Sequence, residues 1–320
     1  MKTPSAQPQP QRALRIALLS RKASLYTTRR LAQAIERRGH TPLVVDPLRC
    51  CLAIARGAPR ILLDGVELPP IDLAIPRIGA SITQAGVALL THLELMDVPT
   101  LNSAQGVAQS RDKLRCLQQL GARGFPVPAT VLAPPHTDIE PLLARLGQIG
   151  GLPVVVKLLQ GTQGIGVMLA RTREELATLL DTFGELGHAV LVQAFVGESE
   201  GCDIRVLVAG ERVVGAMRRR SQTGDFRSNL HRGGEATPIA ALPAELADLA
   251  IGAARAVGLR IAGVDLITSS QGPMLIEINS SPGFEGLEKA THLDVADAII
   301  ERGLEWFEAL KQGAPPEQRA

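Results

Sequence analysis

The chain has 320 residues, a formal net charge of +2 and 45% hydrophobic residues, which is typical of a globular protein large enough for two domains. Only 2% of the residues are aromatic, which argues against a single-stranded nucleic-acid binder that stacks bases on aromatic rings. The small net charge and the lack of an apolar run of about 18 residues exclude a strongly basic nucleic-acid surface and a membrane span. We therefore expect neither a membrane nor direct nucleic acid as a partner.

The N-terminal stretch MKTPSAQPQPQR has no apolar core, so it does not resemble a signal peptide. Its Pro, Gln and Ser content predicts a disordered leader over residues 1–12. The four cysteines have neither the spacing of metal ligands nor that of a disulfide framework. They fit free thiols in a reducing cytoplasm, and they are Cys50, Cys51, Cys116 and Cys202.

Strand and helix patterns alternate in the first third of the chain. The strands are predicted at 13–20, 41–46, 71–79 and 98–102, and the helices at 24–40 and 82–97. This alternation predicts a parallel α/β domain over residues 13–110.

The pattern changes after residue 110, where strands come in runs and hairpin signals appear at AGER and SSQGP. Helices are predicted at 110–124, 172–183, 243–259 and 292–311. Strands are predicted at 188–196, 202–210, 212–220, 261–268 and 273–279. This part has the character of an α+β fold, and residues 313–320 are predicted to form a frayed tail.

Lys157 lies in the apolar stretch PVVVKLL, directly before the glycine-rich segment QGTQGIG at 160–166. A buried lysine is costly unless an anion pairs with it, although a lysine on an edge strand can also extend to water. Glycines allow backbone N–H groups to surround phosphate oxygens. The segment matches neither a Walker A motif nor a dinucleotide fingerprint, so a glycine-rich flap between two strands is the better interpretation.

Two polar residues interrupt the apolar strand MLIEIN, namely Glu277 and Asn279. Residues two apart in a strand share a face, and a buried carboxylate is costly unless it is paired or binds a metal. Asp265, in IAGVDLI of the preceding strand, can converge with them. Three oxygen donors favour Mg²⁺ over zinc, and the alternative is a set of hydrogen-bonded polar residues at the ends of the sheet.

A basic region, MRRRSQTGDFRSNLHRGG at 217–234, is rich in arginine. Arginine binds carboxylates and phosphates through two parallel hydrogen bonds, so this region is a candidate for holding an anionic substrate. A solvated basic face is the alternative. Arg205, in the strand GCDIRVLV, is a further cation of the same candidate site.

The order of these features resembles that of the ATP-grasp superfamily, and it is most similar to the RimK-type α-L-glutamate ligase family. The resemblance extends from about residue 15 to residue 290. The matching words are IALLSRKASLYTTRRL, PRIG, SRDKLR, VVKLLQGTQGIGV, GCDIRVLV, GDFRSNLHRGG, AGVDL and IEINSSPGFEGLEK.

The resemblance implies a pre-ATP-grasp domain over 13–110 and an ATP-grasp domain over 111–312. The latter would consist of a flap subdomain at about 125–192 and a C-terminal subdomain at about 193–312, which grip the nucleotide between them. It also implies ATP as the nucleotide, with Mg²⁺ or Mn²⁺, two ions in number, as the metal.

The same resemblance assigns site residues by position. Metal ligands would be Asp265, Glu277 and Asn279. Catalytic arginines would be Arg205, Arg220 and Arg227. ATP would contact Lys113, Lys157, Gly161, Gly164, Gly166, Ala194, Phe195, Asp203, Arg227, Ser228 and Asn229. The family often has an acidic residue where this chain has Ala194, which affects nucleotide selectivity more than ATP binding.

The implied reaction joins the amine of L-glutamate to a carboxylate through an acyl-phosphate. The implied acceptor is the C-terminal carboxylate of the sixth small-subunit ribosomal protein. The alternatives are a carrier protein, a small coenzyme acceptor or, in a different class, a nucleotide-binding regulatory module without ligase activity. Relatives of this type also imply a cytoplasmic homo-oligomer, by resemblance a tetramer.

Overall fold

The computed structural model describes residues 12–148, 150–159, 166–222, 226 and 234–313. Among these residues it contains four sheets, of which three are built into successive regions of the chain and one is a small antiparallel sheet. None of the helices in the described ranges combines the length and the apolar character needed to cross a bilayer.

The N-terminal region contains a parallel sheet of order β2-β1-β6. Its elements in chain order are β1 (Arg15–Leu19), α1 (Tyr26–Arg37), β2 (Thr41–Val45), β3 (Cys50–Ala53), β4 (Arg60–Leu63), β5 (Val66–Glu67), β6 (Leu73–Pro76), α2 (Thr83–Leu95) and α3 (Ala104–Arg111). The central strand β1 is buried at four of its five positions, as expected for a parallel strand with both faces covered. The predicted parallel α/β region is confirmed.

Two details of this region differ from the prediction. Strands β3, β4 and β5 form a separate antiparallel sheet between β2 and β6, which was not predicted. Asp64 and Gly65 form its turn with positive φ angles of 52° and 83°, and Asp-Gly is a strong hairpin signal. Residues 98–102 do not form a regular strand, because Thr100 makes only an isolated parallel bridge to Ala74.

The middle region is an antiparallel sheet of order β7-β10-β8-β9. Its elements are α4 (Lys113–Ala122), which precedes the sheet, then β7 (Thr130–Ala133), α5 (Ile139–Gln148), β8 (Val154–Leu158), β9 (Val167–Ala170), α6 (Arg173–Glu185) and β10 (Val190–Ala194). Apolar residues of α5 and α6 pack against this sheet. Helix α5 was not predicted, whereas α6 begins as predicted after the capping residue Thr172, whose hydroxyl accepts a hydrogen bond from Glu175 N.

The C-terminal region is an antiparallel sheet of order β13-β12-β11-β14-β15. Its elements are β11 (Cys202–Ala209), β12 (Arg212–Arg220), β13 (Glu235–Pro238), α7 (Ala244–Ala256), β14 (Ile261–Ser269), β15 (Gly272–Asn279), α8 (Glu285–Thr291) and α9 (Val295–Lys311). One face packs on α4 and α7, and the other face carries polar residues at one end. The predicted α+β character and both predicted hairpins are confirmed.

The N-terminal and C-terminal regions share one hydrophobic core. Ile16 and Leu18 of β1 pack in the same cluster as Phe284 and as Ile299 of α9. Buried apolar area is the main stabilising term in folding, so these two regions stabilise each other directly.

Asn102 joins the same two regions through backbone hydrogen bonds. Its amide oxygen accepts from the N–H groups of Arg260 and Ile261, both at 2.9 Å, and its amide nitrogen donates to the carbonyls of Ile261 and Ser280 at 2.8 and 3.0 Å. The side chain is buried. It therefore fixes the start of β14 and the residue after β15 relative to the N-terminal region.

Candidate active site

The polar face of the C-terminal sheet brings five charged residues into neighbouring register positions. Arg205 of β11 lies opposite Asp265 of β14, and Asp265 lies opposite Glu277 of β15. Asp203, two residues before Arg205, lies opposite Arg219 of β12. Because alternate residues of a strand share a face, all five side chains project from the same side of the sheet.

Four of these residues form an ion-pair network, here called the strand network: Asp203, Arg205, Arg219 and Asp265. The guanidinium of Arg205 donates to both Asp265 oxygens at 2.7 and 2.6 Å. Arg219 donates to both oxygens of Asp203 at 2.7 and 2.5 Å and lies 2.9 Å from Asp265 Oδ2. Asp265 and Arg219 are each only 3% exposed.

The network decides the protonation of its buried members. Burial disfavours the charged form of Asp265, but Arg205 and Arg219 outweigh it and hold its pKa below the usual value. Burial likewise opposes the charge of Arg219, and Asp265 and Asp203 outweigh it and raise the pKa of Arg219. The two buried members, Asp265 and Arg219, are thus held in their charged forms by their partners.

Glu277 differs from the expectation of a buried carboxylate, because its side chain is exposed while Asn279 is partly buried. The two residues are two positions apart and share the face predicted for them, and Asn279 lies opposite Gly263 of β14. The described chain holds no group of three or more His, Cys, Asp or Glu side chains placed to bind a metal. Asp265, Glu277 and Asn279 together offer only oxygen donors, a set that suits Mg²⁺ completed by substrate phosphates.

Lys157 projects from β8 and donates a 2.6 Å hydrogen bond to the side-chain oxygen of Gln193 on β10. Gln193 in turn donates to the hydroxyl of Thr130 at 2.8 Å. Burial lowers the pKa of Lys157 to about 8, an effect that Glu277 opposes and Lys113 reinforces. Within the ranges that the structure describes, Lys157 forms no ion pair with a carboxylate, so its charge is suited to binding an anion.

Lys113 lies at the start of α4, after the capping residue Asp112, and its ammonium is 3.4 Å from the carbonyl oxygen of Leu159. Burial lowers the pKa of Lys113; Glu277 opposes this shift and Arg111 adds to it. Leu159 directly precedes the glycine-rich segment. Lys113 and Lys157 are both predicted site residues, and the structure places both of them near Glu277.

Two arginines that the residue patterns did not single out complete this group. Arg77 follows β6 and Arg111 ends α3, and burial lowers the pKa of both side chains, that of Arg77 to about 10. We call Arg77, Arg111, Lys113 and Lys157 the cationic cluster. The only sequence signal for Arg77 was the family-like motif PRIG, and Arg111 lies in the family-like motif SRDKLR.

The predicted nucleotide linker is described only in part. Ala194 ends β10 and donates its N–H to the carbonyl of Ala129 at 2.8 Å. The ring of Phe195 meets that of Phe226 edge to face, with centroids 6.3 Å apart. Gly166 closes the glycine-rich segment with a φ of 72°.

Some predicted residues are not brought into this site by the described structure. Arg220 is exposed and, by strand alternation, lies on the face of β12 opposite to Arg219. The remaining candidates lie outside the described residues, and they are Gly161, Gly164, Arg227, Ser228 and Asn229. Arg219 lies in the arginine-rich region predicted to hold an anionic substrate, but it was given no role of its own. Gln193 was missed, although it interrupts an apolar strand just as Glu277 does.

Solved structures with the same arrangement are ATP-grasp proteins. A RimK-domain ATP-grasp protein from Sphaerobacter thermophilus is similar with a TM-score of 0.70 and 26% identity, covering 90% of this chain and 98% of that one. The ATP-grasp ligase PsnB, solved with a phosphomimetic precursor variant, Mg and ADP, has a TM-score of 0.70 at 19% identity, covering 92% and 99% of the two chains, and it supports the fold alone. The molecule therefore has an ATP-grasp fold.

The family is given by the sequence profiles. The RimK pre-ATP-grasp domain matches residues 14–107 and the RimK-like ATP-grasp domain matches residues 110–302. The chain belongs to the RimK family of ATP-grasp ligases, which confirms the predicted family, fold and class of C–N bond-forming enzyme.

Curated relatives cover nearly the whole chain. A protein of Shewanella denitrificans named probable alpha-L-glutamate ligase 1 is 48% identical over 90% of this chain and 96% of its own length. A probable alpha-L-glutamate ligase of Chromohalobacter salexigens is 46% identical over 96% of this chain and 100% of its own length.

Proposed function

We propose that this enzyme is an ATP-dependent ligase that joins the amine of L-glutamate to a carboxylate of an acceptor. The observation that carries the proposal is the cationic cluster beside Glu277. The charge of Glu277 raises the pKa of Lys157, Lys113 and Arg111 against the effect of burial, so these three cations lie around one carboxylate. A cluster of four cations, of which three are influenced by a single carboxylate, suits a polyanion such as the triphosphate of ATP. The names of the relatives support L-glutamate as the amino acid.

Asp265, Glu277 and Asn279 would hold Mg²⁺, or Mn²⁺ in its place, with two ions as the expected number. They fit this role because all three are oxygen donors at paired or adjacent register positions on one face. The metal would supply neutralisation of charge on the phosphates. Arg205 holds Asp265 in the described structure and so orients one proposed ligand.

In the proposed reaction an oxygen of the acceptor carboxylate takes the γ-phosphoryl group of ATP, which releases ADP. The glutamate amine then forms a bond to the acyl carbon, the bond from that carbon to the phosphate oxygen breaks, and the amine loses a proton. Lys113 and Lys157 would bind the phosphates, and Arg205 and Arg227 would stabilise the acyl-phosphate. Arg220 remains a prediction for this last role. Because it projects from the opposite face of β12, the end of this strand would have to rearrange before Arg220 could reach the site.

We assign the remaining predicted residues to contacts with the nucleotide. Phe195 and the backbone of Ala194 would contact the adenine, Asp203 would lie near the nucleotide, and Gly161, Gly164 and Gly166 would form the flap over the phosphates. Ser228 and Asn229 would line the nucleotide and substrate side. The N–H of Ala194 already donates to Ala129, so its carbonyl is the backbone group proposed for the adenine, a contact that needs no acidic side chain.

The proposed acceptor is the C-terminal carboxylate of the sixth small-subunit ribosomal protein. We also propose a cytoplasmic homo-oligomer, a tetramer by family resemblance. All four cysteines are free thiols, which supports a reducing compartment.

Intact mass spectrometry tests the proposal. The purified ribosomal protein is incubated with the enzyme, Mg-ATP and L-glutamate, and a ladder spaced by one glutamyl residue is expected. ADP release that depends on glutamate, without a ladder, keeps the ligase and points to another acceptor, such as a carrier protein or coenzyme. ATP binding without either result favours the regulatory module.

The Glu277→Ala variant tests the metal assignment. We expect it to lose at least about 100-fold in turnover, since it lacks a proposed metal ligand, while its unfolding temperature stays close to that of the wild type because Glu277 is exposed. Full activity of this variant at ordinary Mg²⁺ would contradict the metal assignment.

A further inference from the structure

Arg77 and Arg111 form a pair of guanidinium groups at the junction between the N-terminal and C-terminal regions. Arg77 Nη2 donates to the carbonyl of Pro282 at 2.7 Å, and Arg111 Nη2 donates to the carbonyl of Ile78. Both side chains are partly exposed. Arg77 therefore lies against the loop that follows Asn279, and Arg111, hydrogen-bonded to the residue next to Arg77, is close enough to repel it.

The hydrogen bonds of this pair leave donors unused. Within the described residues, the buried Nε atoms of both arginines have no hydrogen-bond partner. The hydrogen bonds that their Nη atoms do make end on neutral backbone carbonyls. A buried donor without a partner is costly, so the arrangement is unfavourable until a further acceptor is present.

Neither charge of the pair forms an ion pair with a carboxylate of the described residues, although the Arg77 guanidinium lies 5.9 Å from the centroid of the Phe284 ring. Burial lowers the pKa of Arg77 and repulsion from Arg111 adds to this effect. Burial also lowers the pKa of Arg111, and the one opposing charge is Glu277. If Glu277 binds a metal, its charge no longer offsets that of Arg111, and the pair then needs a different anion.

Other arginines at the same junction are paired, which makes a purely structural role a poor account of this pair. Arg30 donates to Glu288 at 3.0 Å and Arg38 donates to Asp297 at 3.0 and 2.6 Å. Each joins α1 to the C-terminal region through a carboxylate. Arg77 joins the same regions through backbone carbonyls, and neither Arg77 nor Arg111 forms an ion pair with a described residue.

We propose that Arg77 and Arg111 bind a carboxylate of the second substrate, next to the phosphate site and the proposed metal ligands. A planar carboxylate matches the fork of a guanidinium, and Lys113 and Lys157 already serve the phosphates. The carboxylate belongs either to the incoming L-glutamate or to the acceptor. The inference rests on the proposed ligase function and adds two specificity-determining residues to it.

The test compares the wild type with Arg77→Gln and Arg111→Gln in assays of glutamate-dependent ADP release. We expect the KM for one of the two carboxylate substrates to rise by about tenfold to 100-fold, as for loss of a charge-assisted hydrogen bond. A rise in the KM for glutamate identifies the amino acid, and a rise in the KM for the acceptor identifies the acceptor. The Kd of Mg-ADP, from calorimetry, should change less than about twofold.

Two further variants separate binding from folding. Arg38→Gln removes an ion pair of the same junction and should lower the unfolding temperature without changing either KM. Arg77→Lys retains the charge but not the fork, so its KM should lie between those of the wild type and Arg77→Gln. Unchanged KM values in all Arg77 and Arg111 variants, or an equal loss of Mg-ADP affinity, would overturn the proposal.

A binding assay keeps the inference distinct from the proposed reaction. If the wild type releases no ADP with glutamate, the ligase proposal fails, and L-glutamate or an acceptor C-terminal peptide is titrated into the Mg-ADP complex instead. Binding that is lost in both arginine variants supports the carboxylate site. Equal binding by wild type and variants, or binding by none of them, overturns it.

Discussion

The strand network and the cationic cluster lie on the same side of the molecule but differ in their charge balance. In the strand network, two arginines meet two aspartates, and each guanidinium donates to carboxylate oxygens at 2.7 Å or less. The cationic cluster has four cations, and Glu277 opposes the lowering of the pKa of three of them, Arg111, Lys113 and Lys157. The short hydrogen bonds of Arg77 and Lys157 end on carbonyl and amide oxygens.

This difference separates two uses of buried charge. A balanced network has its charges paired before any ligand binds, so it holds the proposed site residues Asp265 and Arg205 in fixed positions. An unbalanced cluster is complete only when an anion binds, so part of the binding energy offsets a cost that the free protein carries. Variants of the two groups should therefore have opposite effects on stability.

The largest expected effect is on the strand network. Asp265→Asn keeps the shape of the side chain but leaves Arg205 and part of Arg219 uncompensated, so the free energy of unfolding should fall by about 3 kcal/mol. Urea denaturation measures this change. Asp64→Asn is the matched control, because Asp64 pairs with Arg49 at the surface and should change stability by less than about 1 kcal/mol. Equal effects of the two substitutions would contradict the contrast.

The cationic cluster should respond in the opposite way. Lys157→Met removes a buried charge, so the free energy of unfolding should stay the same or rise, while the affinity for a non-hydrolysable ATP analogue should fall about tenfold to 100-fold. Calorimetry and denaturation measure the two quantities on the same samples. Lys289→Met, at an exposed site paired with Glu285, should change neither, and a large loss of stability in Lys157→Met would show that Lys157 is structural.

The smallest effect is a pH dependence. The pKa of Lys157 is lowered to about 8 by burial in the presence of Glu277 and Lys113, so the free protein loses this proton as the pH rises above 8. A phosphate ligand favours the charged form, so affinity should weaken above pH 8 by at most about tenfold per pH unit. Calorimetry near pH 8.5, in two buffers of different ionisation enthalpy, should reveal proton uptake on binding that Lys157→Met reduces.

The same pKa shift has a consequence for the free protein. The folded pKa lies below the unfolded one, so the unfolded chain binds more protons between the two values. Stability of the ligand-free protein should therefore rise as the pH increases from about 8 towards 10.5. A fall in stability over this range, in wild type but not in Lys157→Met, would contradict the assigned shift.

The sequence allowed prediction of those features that depend on local pattern. Strand periodicity placed Glu277 and Asn279 on one face, because a period of two does not depend on distant contacts. The hairpin signal SSQGP placed the strand of Asp265 beside them. The exposure of Glu277 was not predictable in this way. It depends on which regions cover that end of the sheet.

The missed residues have a common physical reason. Arg77, Arg111 and Gln193 act on groups that are far away in sequence, such as Pro282 for Arg77 and Lys157 for Gln193. Only the packing of separate regions creates these contacts. The small sheet after β2 was a different kind of omission, because its Asp-Gly turn at 64–65 was a local signal present in the sequence.

The shared core of β1, Phe284 and α9 has a consequence for engineering new specificity. The N-terminal region should not be exchangeable by itself between relatives, since one of its hydrophobic clusters includes residues about 270 positions later in the chain. A chimera that replaces residues 12–111 would also need the donor's residues around Phe284 and Ile299. Without them, the N-terminal and C-terminal regions would form a mismatched interface, which includes the buried side-chain amide of Asn102.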